Sequence, residues 1–284
     1  MIERVAQAVI QRQVAAALAE DLGAGDVTAA LVPASQQVRA QIIAREPAVL
    51  CGTDWADATF RQLDPSIRVE WQAQDGDALV ADRAVVKLEG PARPILTGER
   101  TALNFLQTLS ATATAARRFV DAVAGTGCRI LDTRKTLPGM RLAQKYAARC
   151  GGAQNHRLGL YDMVLIKENH IIAAGSIGGA IAMARTSSPS VPVEVEVESL
   201  VEFDQALAAG ADIILLDELS LADMREAVQR NRSRESRAKL EASGSVTLAT
   251  VREVALTGVD YVSIGGITKH VQAVDLSMRF EFAT

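Results

Sequence analysis

Apolar residues change rhythm part-way along this chain. In the second half, short β-branched runs alternate with longer amphipathic segments. Arg129–Asp132, Met163–Ile166, Val193–Val197, Asp212–Leu216, Lys239–Ala242 and Asp260–Ile264 read as strands, each closed by a polar or glycine-rich end. The segments between them carry helix punctuation. Ser199 with Glu202 fits a capping box and Gly210 the left-handed closing position, and Thr250, Glu253 and Gly258 repeat the arrangement. Strands separated by helices of this length pair in parallel through right-handed crossovers, and about six or seven such units close into a barrel.

The first half follows another period. Val38–Ala44, Val49–Cys51, Ile67–Gln72 and Val85–Glu89 predict short strands, with Asp75-Gly76, Pro91 and Pro94 as turn signals. A helix is predicted over Ile2–Glu20 and a long one over Gly98–Val123. The pattern predicts a smaller α+β domain in front of the barrel, with a boundary near residue 110. The last residues, 275–284, alternate like a strand that returns to the first domain.

Composition narrows the classes of function. A chain of 284 residues buries a sizeable core. Its net charge of −4 gives no global attraction to nucleic acid or anionic membrane, so affinity for anions must come from a local cluster. Cys51, Cys128 and Cys150 form no Cys-x-x-Cys pair and read as small buried thiols in a reducing cytoplasm. The N-terminal stretch lacks the apolar run of a signal peptide, and Ile171–Ala184 is too short to span a bilayer. The basic stretch Arg225–Lys239 has no aromatics for base stacking and reads as a solvated helix end and loop. His170 and His270 lack zinc-ligand spacing.

Function on a parallel barrel sits at the carboxyl ends of the strands. Here those ends supply Asp132, Arg134 and Lys135, then Lys167 to His170, then Asp217, Ser243-Gly244 and Gly265-Gly266. Alternation puts Glu194, Glu196 and Glu198 on one strand face, and the loop before the second strand adds Asn155, His156 and Arg157. Any one of these alone reads equally well as a solvated charge or a turn. Together they need partners, because barrel strands are covered outside and packed inside. Lys135 and Lys167 facing Glu196 and Asp217 supply such pairs. The remainder is a cationic pocket of Arg134, Lys135, His156, Arg157 and Lys167, where two arginines favour bidentate contact with carboxylate or phosphate. Ser243-Gly244 and Gly265-Gly266 lie where late barrel turns offer main-chain N–H groups to a phosphate. Glu196 and Asp217 suit ribose hydroxyls, Mg²⁺ through water, or positive charge on a sugar ring. The pattern predicts an enzyme for small, multiply anionic substrates.

At these residues the chain resembles the quinolinate phosphoribosyltransferase family. The resemblance runs nearly end to end through EDLGAGDVT, LTGERTALNFLQTLSATAT, DTRKTLPGMRLAQKYA, NHRLGLYDMVLIKENHI, PVEVEVES, GADIILLDE, SGSVT and GITKHVQAVDLSMRF. It implies an N-terminal α+β open-faced sandwich over 1–110, to which 275–284 returns, and an incomplete α/β barrel of about six to seven parallel strands over 111–274. It also implies transfer of the phosphoribosyl group of phosphoribosyl pyrophosphate to quinolinate with decarboxylation, in NAD biosynthesis, by a Mg²⁺-dependent cytoplasmic homodimer with a shared site; assembly beyond the dimer is left open. By resemblance, Arg134, His156 and Arg157 bind the quinolinate carboxylates, with Lys135 and Lys167 near the shared centre. Arg100 reaches the quinolinate site of the partner subunit. Glu196 and Asp217 face the ribose and Mg²⁺, and Ser243, Gly244, Gly265 and Gly266 hold the 5-phosphate. Three positions depart from the family's pattern: Ala153 for glycine, Ser245 for asparagine and Glu218 for asparagine. The rival readings are a same-fold paralogue of molybdate-uptake loci and an inert binding protein. The complete cationic set argues against the first, and the retained Glu196, Asp217 and lysines argue against the second.

Overall fold

A computed structural model describes residues 2–234 and 237–282. Its elements begin with α1 (Gln7–Leu22), β1 (Gln37–Ala44), β2 (Ala48–Val49), α2 (Thr53–Leu63), β3 (Arg68–Trp71), β4 (Ala78–Leu79), β5 (Ala84–Pro91) and the long α3 (Ala92–Ala122). Next come β6 (Arg129–Leu131), α4 (Arg141–Cys150), β7 (Val164–Ile166), α5 (Glu168–Ala174), α6 (Ile177–Ser187), β8 (Val193–Val197) and α7 (Leu200–Ala208). The last are β9 (Ile213–Asp217), α8 (Leu221–Arg232), β10 (Lys239–Ser243), α9 (Val251–Ala255), β11 (Tyr261–Ser263), α10 (Gly266–Lys269) and β12 (Leu276–Phe282). Among the described residues, no helix is long and apolar enough to cross a membrane.

Contacts divide the described chain into two compact units, one of residues 2–117, 136–152 and 267–282 and the other of 118–135 and 153–266 where described. Position 110 falls inside α3, whose residues up to 117 count with the first unit by contacts. Helix α4 joins the first unit because its apolar face, Ala143, Tyr146, Ala147 and Cys150, clusters with Ile10, Val14, Trp55 and Phe105.

In the first unit, an antiparallel sheet has the order β12-β1-β5-β3. Strand β1 buries Val38, Ala40 and Ile42 at every second position, and these cluster with Val86 and Leu88 of β5 and Leu103 and Leu106 of α3. The intervening Arg39 is exposed, as are Lys87 and Glu89, so the other face of the sheet is polar and open. Strand β12 pairs with β1 from Leu276–Ala44 to Phe282–Val38. Of the strand expected over 275–284, residues 283 and 284 lie outside the described residues, as do 235 and 236 of the basic stretch.

Two local expectations give way. The strand expected at Val49–Cys51 shortens to Ala48–Val49, since the N–H of Cys51 donates to Ser110 Oγ and Gly52, at φ 112°, starts α2. The second expected capping box does not form, because Thr250 Oγ1 accepts the N–H of Thr247 instead.

The second unit is a six-stranded parallel sheet in the order β6-β11-β10-β9-β8-β7. Consecutive strands are neighbours from β7 to β11, and β6 joins on the far side of β11. Among the described residues, no ladder closes β6 to β7, which leaves the barrel incomplete and directs six carboxyl ends one way.

Packing against α3 is tight at the end of α4, where a Cβ on Gly151 would lie 2.3 Å from Ala113 O. Gly151→Ala is expected to cost about 1–3 kcal/mol in urea unfolding, the usual penalty of overpacking. Gly178→Ala, on α6 with nothing within 4 Å of the added Cβ, is the control and is expected to be neutral or stabilising.

Candidate active site

The expected site residues, Arg100 excepted, belong to the second unit and stand at or just beyond the carboxyl ends of its strands. Asp132, fully buried at the end of β6, accepts the N–H of His156 at 2.9 Å and the side-chain amide of Asn155 at 2.6 Å. Main-chain bonds from Asp132 N to Gln154 O and from Gln154 N to Ile130 O continue the strand hydrogen bonding into this loop. The carboxylate of Asp162 receives the N–H groups of Leu158 and Gly159, and Arg157 Nη1 donates to Met163 O. A loop so tied presents Arg157 on a fixed stem.

His156 is held on both sides of its ring. Its Nδ1 accepts the N–H of Arg157 at 2.8 Å, and its Nε2 lies 2.9 Å from Glu194 Oε2 and 3.6 Å from Glu241 Oε2. Both ring nitrogens thus face groups of the protein itself. Of the expected cationic set, His156 stands between the main chain of Arg157 and two buried acids, while Arg134, Lys135, Arg157 and Lys167 supply the guanidinium and ammonium groups. Sequence reasoning missed Glu241 and gave Asp132, Asn155 and Glu194 no role. The available signal was a carboxylate set between Leu240 and Ala242 in mid-strand, on the face opposite both.

Electrostatics separate two halves of the site. Burial, and then the neighbouring charge of Arg134, lower the pKa of the Arg157 guanidinium. Arg134 Nε is buried and has no hydrogen-bond partner among the described residues. Two adjacent guanidiniums, one with an orphaned donor, call for an anion with several oxygens. Lys135 lies along the next turn, where a Cβ on Gly265 would come within 2.9 Å of Lys135 Cδ. On the other side, Lys167 Nζ forms an ion pair with Glu196. Burial raises the pKa of Asp217, as do the charges of Glu196 and Glu218, while Lys167 and the Ser243 hydroxyl oppose the shift.

Carboxylates that repel one another, with Lys167 to answer them, fit a hard divalent cation. They form no three-ligand cage. Among the described residues, such groupings occur only at His156–Glu194–Glu241 and at Cys51–Asp75–Cys150. Mg²⁺ would therefore be held by Glu196 and Asp217 together with substrate oxygens and water. The three cysteines are free and buried, and burial raises the pKa of Cys51 well above the ordinary range and pushes that of Cys128 up to about 12, so both are inert thiols.

Ser243 ends β10, and Gly244 follows at φ 134°, with Gly265 and Gly266 after the adjacent β11. Two of the three departures from the family pattern meet here. Ser245 Oγ donates to Glu218 Oε1 at 3.0 Å, and a Cβ on Gly244 would lie 2.7 Å from the same carboxylate. The third, Ala153, is buried. Arg100 lies on α3 of the first unit, lining a cavity of about 350 Å³ with Glu20, Asp21, Asn104 and Thr108.

Comparison with known families decides the lineage. The C-terminal domain model of quinolinate phosphoribosyl transferase matches residues 112–279, and the N-terminal domain model matches 26–110. The chain belongs to the quinolinate phosphoribosyltransferase family. It is 42% identical over 266 residues to the nicotinate-nucleotide pyrophosphorylase (carboxylating) of Mycobacterium leprae, covering 92% of this chain and 94% of that one. Against the chloroplastic enzyme of that name from Arabidopsis thaliana, identity is 39%, covering 93% and 81% of the two chains. The solved nicotinate-nucleotide pyrophosphorylase of Francisella tularensis superposes with a TM-score of 0.96 at 44% identity, covering 99% of each chain.

Within this family member, the buried pair offers a test by pH. Burial, and then the charge of Glu194, push Glu241 from 4.5 up to about 8, with His156 and Ser263 opposing. The folded state then binds more protons than the unfolded state between these values, so stability falls as pH rises through that window. Urea unfolding from pH 5 to 8 is expected to show this fall, and Glu241→Gln to flatten it. Parallel curves would show that Glu241 does not titrate there.

Proposed function

We propose that this chain transfers the phosphoribosyl group of phosphoribosyl pyrophosphate to quinolinate, releasing pyrophosphate and CO2 and giving nicotinate mononucleotide for NAD biosynthesis in the cytoplasm. The observation that carries this reading is Arg134, with its buried unpartnered Nε, beside Arg157. Quinolinate brings two adjacent carboxylates, which answer two guanidiniums better than any single carboxylate does.

Arg134 and Arg157 hold the dicarboxylate, and Lys135 and Lys167 stand where the two substrates meet. Ser243, Gly244, Gly265 and Gly266 hold the 5-phosphate through their turns. Departure of pyrophosphate leaves positive character on the sugar, which Glu196 and Asp217 stabilise. Glu196 and Asp217 would hold Mg²⁺ through water, and the ion would supply neutralising charge to the leaving group. The ring nitrogen of quinolinate, fixed by its carboxylates, attacks the anomeric carbon. The bond from C2 to its carboxyl carbon then breaks, CO2 leaves, and the positively charged ring stabilises the electron pair until a proton takes its place. Catalysis comes from positioning and electrostatics, with no covalent enzyme intermediate. Arg100 completes the acid pocket of the other subunit in a homodimer.

Arg134→Ala is expected to lower kcat/KM for quinolinate roughly 10- to 100-fold, the worth of a charge-assisted contact, while phosphoribosyl pyrophosphate affinity is preserved. Equal losses for both substrates in titration would remove Arg134 from the acid pocket. Arg100→Ala and Lys167→Ala proteins, each nearly inactive, are expected to recover about a quarter of wild-type activity after equal mixing and subunit exchange, since half the dimers then hold one intact site. A mixture that stays inactive after verified exchange would exclude a shared site.

A further inference from the structure

The strand residues beneath the acid pocket have no assigned part in the reaction. Glu194 on β8 and Glu241 on β10 face inward from alternate strands and are 0% and 1% exposed. Among the described residues, none of their four oxygens has a hydrogen-bond partner of strict geometry, although Ser263 and Glu194 lie close enough to Glu241 to shift its pKa. Their ion-pair partner among the described residues is His156 Nε2. Buried carboxylates so poorly satisfied are costly, and apolar residues of similar volume would pack these positions at lower cost. Stability does not account for two of them side by side.

The imidazole they face leads to the substrate pocket. With Nδ1 accepting the N–H of Arg157, the ring carries its proton on Nε2, the nitrogen directed at the carboxylates. Each member of the series fixes the next, from carboxylates to imidazole to the main chain of Arg157. Asp132 anchors the preceding main chain independently, through His156 N and Asn155. We propose that Glu194 and Glu241 are positioning residues for the acid pocket, acting through the His156 ring to set the main chain at Arg157 and hence the place of its guanidinium. This deepens the functional reading above and rests on it. Strand β8 then serves both substrates, with Glu194 behind the acid pocket and Glu196 on the same face beside Lys167.

Calorimetric binding of quinolinate, together with KM and kcat for each substrate, tests the proposal on the full-length protein. Glu194→Ala is expected to weaken quinolinate binding at least tenfold and leave the KM of phosphoribosyl pyrophosphate within about twofold, with Glu194→Gln recovering most of the loss. His156→Ala should show the same selective loss, and Glu194→Ala combined with His156→Ala should be no worse than either alone, because the three groups act in series. Should Glu194→Ala fail to fold, Glu241→Gln with His156→Ala carries the same cycle. Additive losses, equal losses on both substrates, or unchanged quinolinate binding would each overturn the proposal. So would a stoichiometric divalent metal in the purified wild-type protein that Glu241→Gln removes, since the three side chains would then be ligands. Wild-type protein that binds no quinolinate would sink the functional reading itself, whereas wild-type binding matched by Glu194→Ala would sink the positioning role alone.

Discussion

Charge withdrawn from water inside a parallel barrel has to be answered by nearby groups, and that constraint organises the second unit. The inward faces of β6, β8 and β10 present Asp132, Glu194 and Glu241, each almost fully buried. Asp132 takes the N–H of His156 and the amide of Asn155, while His156 stands against both glutamates. The loop before β7 is thus held by carboxylates on three strands. Without those buried acids it would have no reason to bring Arg157 against Arg134, whose charge disfavours that of Arg157 until an anion arrives.

In the proposed function, this places the energetic cost of the acid pocket below it rather than in it. A pocket meant for two carboxylates must keep guanidiniums close together and dry, an arrangement that collapses if the side chains swing apart. The tied loop prevents that movement and pre-organises the site. The sugar half is built differently. There the excess is negative, with Glu196 and Asp217 near Glu218 and answered by Lys167, and that excess suits a cation and a sugar gaining positive character.

Much of this was legible in sequence because barrel strands end abruptly. β-branched runs closing in Asp217, Ser243-Gly244 and Gly265-Gly266 marked the rim, and alternation put Glu194 and Glu196 on one face. Other features were hidden for physical reasons. A single glutamate in KLEAS reads like a solvent-facing position, and only the fold shows that Glu241 points inward. A histidine beside an arginine reads as a second cation, whereas its charge depends on which groups meet its two nitrogens. Helix α2 was passed over within a run of short strands, although Trp55, Ala56, Thr59 and Phe60 are buried at helical spacing. The allegiance of α4 was unreadable because an apolar face does not name the surface it will cover. Glu218 and Ser245 looked like separate departures from the family pattern and prove to be hydrogen-bonded to each other.

The most direct measurement is the stoichiometry of one reaction. Purified protein would be given quinolinate labelled at the 2-carboxyl, phosphoribosyl pyrophosphate and Mg²⁺, with nicotinate replacing quinolinate in a parallel reaction. The expected result is one labelled CO2 and one nicotinate mononucleotide for each pyrophosphate released, and no product from nicotinate. Pyrophosphate released without CO2, or nicotinate used as readily as quinolinate, would contradict a site built around two adjacent carboxylates.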